Sequence, residues 1–196
     1  MKKLILSLSA LLIVGSAASA NTIVYDASLN GPSESPPNAS PGIGFATVII
    51  DDVLQTMEVK LNFSGLLGTT TASHIHCCTA TPDSGTANVA TTTPTFPSFP
   101  LGVTSGTYDH TFDLTAAGTY NPAFVTLEGS VANAETALLA GLSDGESYLN
   151  IHSSVSPGGE IRGFLAPAVP EPSSVVLLAA LVGLLAIIRL RVKAIH

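Results

Sequence analysis

Between Met57 and Phe63 the chain changes polarity at every step: Met57, Val59, Leu61 and Phe63 alternate with Glu58, Lys60 and Asn62. A side-chain period of two belongs to a β-strand with one buried face, and a helix cannot gather that pattern into one apolar stripe. The alternation returns at Thr107–Leu114, where Tyr108, His110, Phe112 and Leu114 share one face and Thr107, Asp109, Thr111 and Asp113 the other. Residues 21–27, 44–50, 69–76, 146–152 and 160–165 are shorter alternating or β-branched runs and read as further strands.

Turn chemistry separates these runs. Residues 30–42 are rich in Pro, Ser and Gly and form a loop, and Asp51-Asp52 turns the chain between two strands of one hairpin. Residues 77–101 carry Pro82, Pro94, Pro97 and Pro100, which makes them a long irregular connection. Residues 133–142 alone have the character of a soluble helix, capped by Asn133 and ended by Gly141. Short strands, Pro/Gly/Ser turns and one short helix predict an all-β fold, an antiparallel β-sandwich, with an up-and-down barrel as the alternative.

Both ends stand apart from this pattern. Lys2 and Lys3, the apolar run 4–14 and Ala18-Ser19-Ala20 make residues 1–20 a signal peptide, with a mature chain from Asn21. At the other end Pro170-Glu171-Pro172 precedes the uninterrupted apolar run 175–188, followed by Arg189, Arg191 and Lys193. Fourteen residues rise about 21 Å against a core of about 30 Å, so flanking residues and snorkelling arginines must complete a membrane helix at 175–188. The basic ends stay cytoplasmic and everything between is translocated.

This tail, residues 169–196, resembles a PEP-CTERM sorting signal: the motif Pro170, Glu171, Pro172, a short membrane segment and an Arg-rich end. The resemblance implies signal peptidase and an exosortase as partners during export from a Gram-negative bacterium that makes exopolysaccharide. It also implies a destination at the cell surface or in the extracellular matrix, with membrane contact only through this segment before processing. Exopolysaccharide or other surface proteins are the candidate neighbours there.

The body, residues 21–168, keeps Lys60 and Arg162 as its basic residues against thirteen acidic ones, a formal charge of −11. So acidic a domain excludes nucleic acid as a partner and suits cations or simple solubility. It contains no Gly-x-Ser-x-Gly, no His-Glu-x-x-His and no phosphate loop. The expectation is therefore a non-enzymatic surface or matrix domain.

Three stretches of the body are similar to the CHRD domain, named for chordin: Ala72-Ser-His-Ile-His76, Ser147-Tyr-Leu-Asn-Ile-His152 and Pro157-Gly-Gly-Glu-Ile-Arg-Gly163, with Leu138-Leu-Ala-Gly141 ahead of the second. The resemblance implies an extracellular, all-β, Ig-like domain and no particular reaction. Chordin's growth-factor binding is associated with cysteine-rich modules that this chain lacks. One departure stands out: family members usually follow His-Ile-His with Gly-Gly, and here Cys77-Cys78 occupy that place. A fainter resemblance to Cu,Zn superoxide dismutase fails at the site, which typically uses six His and an Asp where this body has four His.

His74 and His76 lie two apart, so on a strand they project from one face, roughly 6–7 Å between Cα atoms. With His152 they could form a Zn or Cu site, the alternative reading being a metal-binding domain or metal-dependent enzyme. The plainer reading has the histidines hydrogen-bonded and stiffening a loop. His110, on an apolar face, reads as a core residue bonded to backbone. Cys77 and Cys78 have four options: a vicinal disulfide, an intermolecular bridge, free thiols or metal ligation, with a redox-sensitive or bridged pair preferred in an oxidising compartment. Glu160 and Arg162 alternate with Ile161 and read as a structural ion pair. The 148–152 and 160–165 strands should form a hairpin. Leu149, Ile151 and Ile75 should face the core, leaving His152 towards solvent or a loop pocket and near His74 or His76.

Overall fold

The computed structural model describes residues 22–168. The signal peptide, the Pro170-Glu171-Pro172 motif and the membrane helix at 175–188 lie outside the described residues. Among the described residues no helix is long and apolar enough to cross a membrane.

Eight strands follow in chain order: β1 (Thr22–Asn30), β2 (Ile43–Asp51), β3 (Thr56–Ser64), β4 (Thr70–His76), β5 (Gly106–Asp113), β6 (Tyr148–Ser153), β7 (Ile161–Phe164) and the two-residue β8 (Ala166–Pro167). Their order in space is β4-β6-β7-β1-β2-β3-β5, with β8 beside β1, and every pairing is antiparallel. The β2–β3 hairpin turns where the sequence places it, with Asp51 Oδ1 accepting from the amides of Val53 and Leu54. The β6–β7 hairpin is also formed.

The alternating residues become the core. Tyr25, Ala27 and Leu29 of β1, Ala46, Val48 and Ile50 of β2, Met57, Val59, Leu61 and Phe63 of β3, and Tyr108 and Phe112 of β5 are all buried. At the junction of β1 and β7 a single pair, Asn30 and Arg162, stays in register. The β7 backbone comes so close to β1 there that a Cβ on Gly163 would stand 2.3 Å from the Ser28 carbonyl oxygen. Opposite ends of the strand path meet across the core: the Phe96 amide donates to Ser73 of β4, and the Phe96 ring stacks on Tyr108 of β5 at 5.5 Å. This antiparallel, all-β arrangement fits a β-sandwich.

The helical content exceeds the expectation. Two helices, α1 (Pro122–Glu128) and α2 (Val131–Ser143), follow a single 3-10 turn at Ala117–Thr119. α1 begins with Pro at its first position behind an Asn121 cap, a start signal too brief to stand out by periodicity over seven residues. α2 is capped by Ser130, not by Asn133, whose side chain instead donates to the Glu128 carbonyl. Gly141 lies inside α2, not beyond its end, and its lack of a Cβ serves a packing contact described below. Residues 77–101 are irregular as expected, yet they are ordered against the free edge of β4, where Ala90 and Thr91 donate to the Ile75 carbonyl.

Candidate metal centre

Strands β4, β6 and β7 each have one apolar and one polar face. Register places His74 opposite Asn150, His76 opposite Tyr148, Ala72 opposite His152 and Asn150 opposite Arg162. All of these side chains therefore lie on one face, since directly paired residues point the same way. The opposite face carries Ile75, Leu149, Ile151 and Ile161, each fully buried. The core face expected for Ile75, Leu149 and Ile151 is thus the observed one.

The polar face is nevertheless not open to water. Segments 31–38 and 85–94 and the β6–β7 turn lie over it, leaving His74 and His76 buried and His152 half-buried. His152 lies in a loop pocket, beside both other histidines. Ring centroids are 5.3 Å apart for His74 and His152, and 6.0 Å for each of the other two pairs. One nitrogen from each ring lies within 4.8 Å of the other two.

Each ring is oriented by a backbone carbonyl. His74 Nε2 sits 2.7 Å from the Pro94 oxygen, His76 Nδ1 2.9 Å from that of Ala87, and His152 Nδ1 2.9 Å from that of Pro157. A carbonyl only accepts, so in each contact the ring nitrogen is the N–H donor. The remaining nitrogens, His74 Nδ1, His76 Nε2 and His152 Nε2, then carry lone pairs, and all three are buried with no hydrogen-bond partner. Burial pushes His74 and His76 down to about 4, outweighing the carbonyl contacts that favour their protonated forms. Burial lowers His152 as well. The rings are therefore neutral at neutral pH, the form a metal ion requires. Zn–N bonds of about 2.0–2.1 Å around a tetrahedral ion set nitrogens about 3.3 Å apart, so the ring nitrogens that lie within 4.8 Å of one another need close by no more than about 1.5 Å.

A second polar cluster adjoins the histidines. Tyr148 lies parallel to His76 at 4.7 Å, and the Arg162 guanidinium stands 4.7 Å from the centre of the Tyr148 ring. The expected ion pair between Glu160 and Arg162 is not formed. Arg162 Nε donates to the Ser33 carbonyl and Nη1 to that of Gly85, with Glu34 Oε2 at 3.9 Å. Glu160 instead accepts from Ser40 Oγ at 2.7 Å and from the amides of Leu67 and Gly68. Residue 160 precedes β7, so strand alternation does not carry its side chain to the face of Arg162. Glu34 escaped the sequence reading, and Asn150 was placed on the face of His152 without a role. The signal for Glu34 was indirect: an arginine that is one of two basic residues in the body needs an acid, and adjacency pointed to the wrong one.

Cys77 and Cys78 form a disulfide with each other. They do not join the histidine cluster, because Cys77 follows His76 and turns towards α2, where both sulfurs lie against Gly141. His110 is half-buried on the core face of β5, its ring meeting Phe112 at 4.6 Å.

The family model for the CHRD domain matches residues 25–165, which takes in the entire sheet core and all three histidines. The chain belongs to the CHRD domain family. No curated protein and no solved structure matches it.

Proposed function

We propose that this chain is an exported CHRD-domain protein that binds zinc or copper through His74, His76 and His152. The observation that carries this reading is the convergence of three imidazole rings, each offering a nitrogen within 4.8 Å of the other two and each having one buried nitrogen without a partner, the opposite one being held by a carbonyl. A buried acceptor without a donor costs about 1–3 kcal/mol, and one bound cation would satisfy all three. Carbonyl contacts to the outer ring nitrogens are the usual support of metal-bound histidines. Zinc there would supply a Lewis acid, and copper a one-electron centre. The chain's own part is to hold the rings neutral, fix their tautomers and shield them with the 85–94 segment.

The domain family supports an extracellular setting and an Ig-like arrangement of the sandwich. The leader at 1–20 and the PEP-CTERM-like tail at 169–196 support processing by signal peptidase and an exosortase. They also support a place at the cell surface or in the matrix, among exopolysaccharide and other surface proteins. The role read there is non-enzymatic.

Two experiments test this. Protein purified from the exported fraction without chelators should carry about one zinc or copper per chain, and His74→Ala with His76→Ala should remove it. Metal well below one equivalent, unchanged by the double substitution, would refute the site. A chain lacking 169–196 should lose surface or matrix association, and unchanged location would refute the sorting role.

A further inference from the structure

We infer that the Cys77–Cys78 disulfide is a redox-exchangeable site that controls how tightly the histidine cluster holds its metal. The inference rests on the metal reading above and adds its regulation. Its basis is the 86–89 segment, which touches both the disulfide and His76. The Cys77 amide donates to the Asn88 carbonyl at 3.1 Å. One residue earlier, the Ala87 carbonyl accepts from His76 Nδ1 at 2.9 Å, and Tyr148 Oη meets the Ala87 amide at 3.2 Å. Val89 forms a bridge with His76 itself. Anything that shifts residues 86–89 therefore shifts the carbonyl that orients one of the three rings.

The disulfide is placed to do so. On its helix side there is no room: a Cβ at Gly141 would stand 2.4 Å from Cys77 Sγ and 2.6 Å from Cys78 Sγ. Separate thiols need a van der Waals spacing comparable to the ~3.5–4.0 Å between carbons. With α2 blocking one direction, the sulfurs separate towards residues 86–88. These residues and the pair line a cleft of about 410 Å³ together with Phe124, Leu127 and Glu128. Cys77 is buried and Cys78 is exposed, so a reductant reaches Cys78.

The step is thiol–disulfide exchange with a dithiol. A donor thiolate attacks Cys78 Sγ, the S–S bond breaks, and Cys77 leaves as a thiolate that takes a proton. The donor's second thiol then attacks the mixed disulfide, releasing Cys78 as a thiol. The donor ends as a disulfide, and two electrons and two protons have passed to the cysteine pair. Loss of an outer contact to a metal-bound histidine typically weakens affinity 10–100-fold, which sets the expected size.

The test measures zinc affinity by competition with a chromophoric chelator, on the oxidised protein and after reduction with a non-chelating phosphine. Cys77→Ser with Cys78→Ser serves as the permanently unbonded form, which keeps a γ-atom at each position, and circular dichroism monitors the fold. The expected result is a folded reduced protein, and a folded double variant, each binding zinc at least about tenfold more weakly than the oxidised protein. Equal or tighter binding after reduction, or loss of the β-sheet signal on reduction, overturns the coupling while leaving the metal site standing. If the oxidised protein binds no zinc, the reading on which the coupling rests has failed.

Discussion

Strands β4, β6 and β7 bury both of their faces, and the two faces are built on different principles. One presents Ile75, Leu149, Ile151 and Ile161, and the hydroxyls it also carries are satisfied, Ser73 Oγ donating to the Asn150 carbonyl and Ser153 Oγ accepting from the Ser156 amide. The other presents His74, His76, Asn150, His152 and Arg162 under a cover of loops, and leaves a side-chain atom of each of His74, His76, His152 and Asn150 without a partner. The first face stabilises by removing apolar surface from water. The second costs stability in the metal-free chain, a cost that the proposed metal would offset. The largest expected effect follows. Leu149→Ala should cost about 2–5 kcal/mol in denaturant unfolding, because its site is fully packed. On the polar face His152→Leu should change metal-free stability by less than about 1 kcal/mol, since it removes an unpartnered buried nitrogen. It should also abolish the rise in Tm on adding zinc. Equal destabilisation by the two substitutions would break the comparison.

The same contrast recurs in two buried carboxylates. Burial pushes Glu160 up, but hydrogen bonds from the Ser153 and Ser40 hydroxyls and the Leu67 and Gly68 amides outweigh it and hold the carboxyl below its ordinary value. Burial raises Glu34 to about 7, and the Arg162 charge only partly opposes it. Arg162 spends its Nε–H and an Nη1–H on the Ser33 and Gly85 carbonyls, so the 3.9 Å approach to Glu34 is a long charge contact. What decides the charge of a buried acid here is the number of donors aimed at it, more than the presence of a cation nearby. Glu160→Gln should therefore cost about 2–3 kcal/mol, by turning an amide group towards donors that need an acceptor. Glu34→Gln at pH 7 should stay within about 1 kcal/mol of the parent in the same urea titration. A Glu34→Gln loss as large as that of Glu160→Gln would show that the Arg162 contact is a strong ion pair after all.

Most of the apolar half was legible in the sequence, because period-two alternation is a local signal that tertiary packing then obeys. The faces of β3, β5 and β6 follow from it, and the short turns between runs give the β2–β3 and β6–β7 hairpins; the nearness of His152 to His74 and His76 needed the further expectation that β4 and β6 are neighbours. The polar half was legible only as a list of residues. Its cover comes from segments 31–38 and 85–94, whose Pro, Ser and Thr content marks them as loops and says nothing of where they lie. The carbonyls of Ala87, Pro94 and Pro157 fix the histidine tautomers, yet a backbone carbonyl leaves no trace in residue identity. Glu34 reaches Asn150 and Arg162 across more than a hundred positions, beyond any local pattern. α1 was missed because a seven-residue helix supplies too few turns for periodicity, though its Asn121-Pro122 start was there to be read.

The smallest expected effect lies in the pH dependence of the metal-free chain, where the histidines and Glu34 act with opposite sign. Ordinary histidine titrates near 6.5, whereas burial holds His74 and His76 at about 4. Between these values the unfolded chain binds more protons at those sites, so their contribution is complete above about 6.5 and is lost as pH falls towards about 4. Glu34 is raised from 4.5 to about 7, so over that interval the folded chain holds the extra proton. Its contribution is complete below about 4.5 and is lost as pH rises through about 7. From pH 6.5 to 4.5 acidification therefore weakens the fold through the histidines and strengthens it through Glu34. The histidines are more numerous, so Tm should fall over this range. Glu34→Gln removes the counterweight, and its Tm should fall further than the parent's over the same range, by a few degrees more. Thermal melts of the two chains at pH 6.5, 5.5 and 4.5 measure this directly. A smaller fall in Glu34→Gln would mean that Glu34 is ionised in the folded state throughout, and the two carboxylates would then differ less than their donors imply.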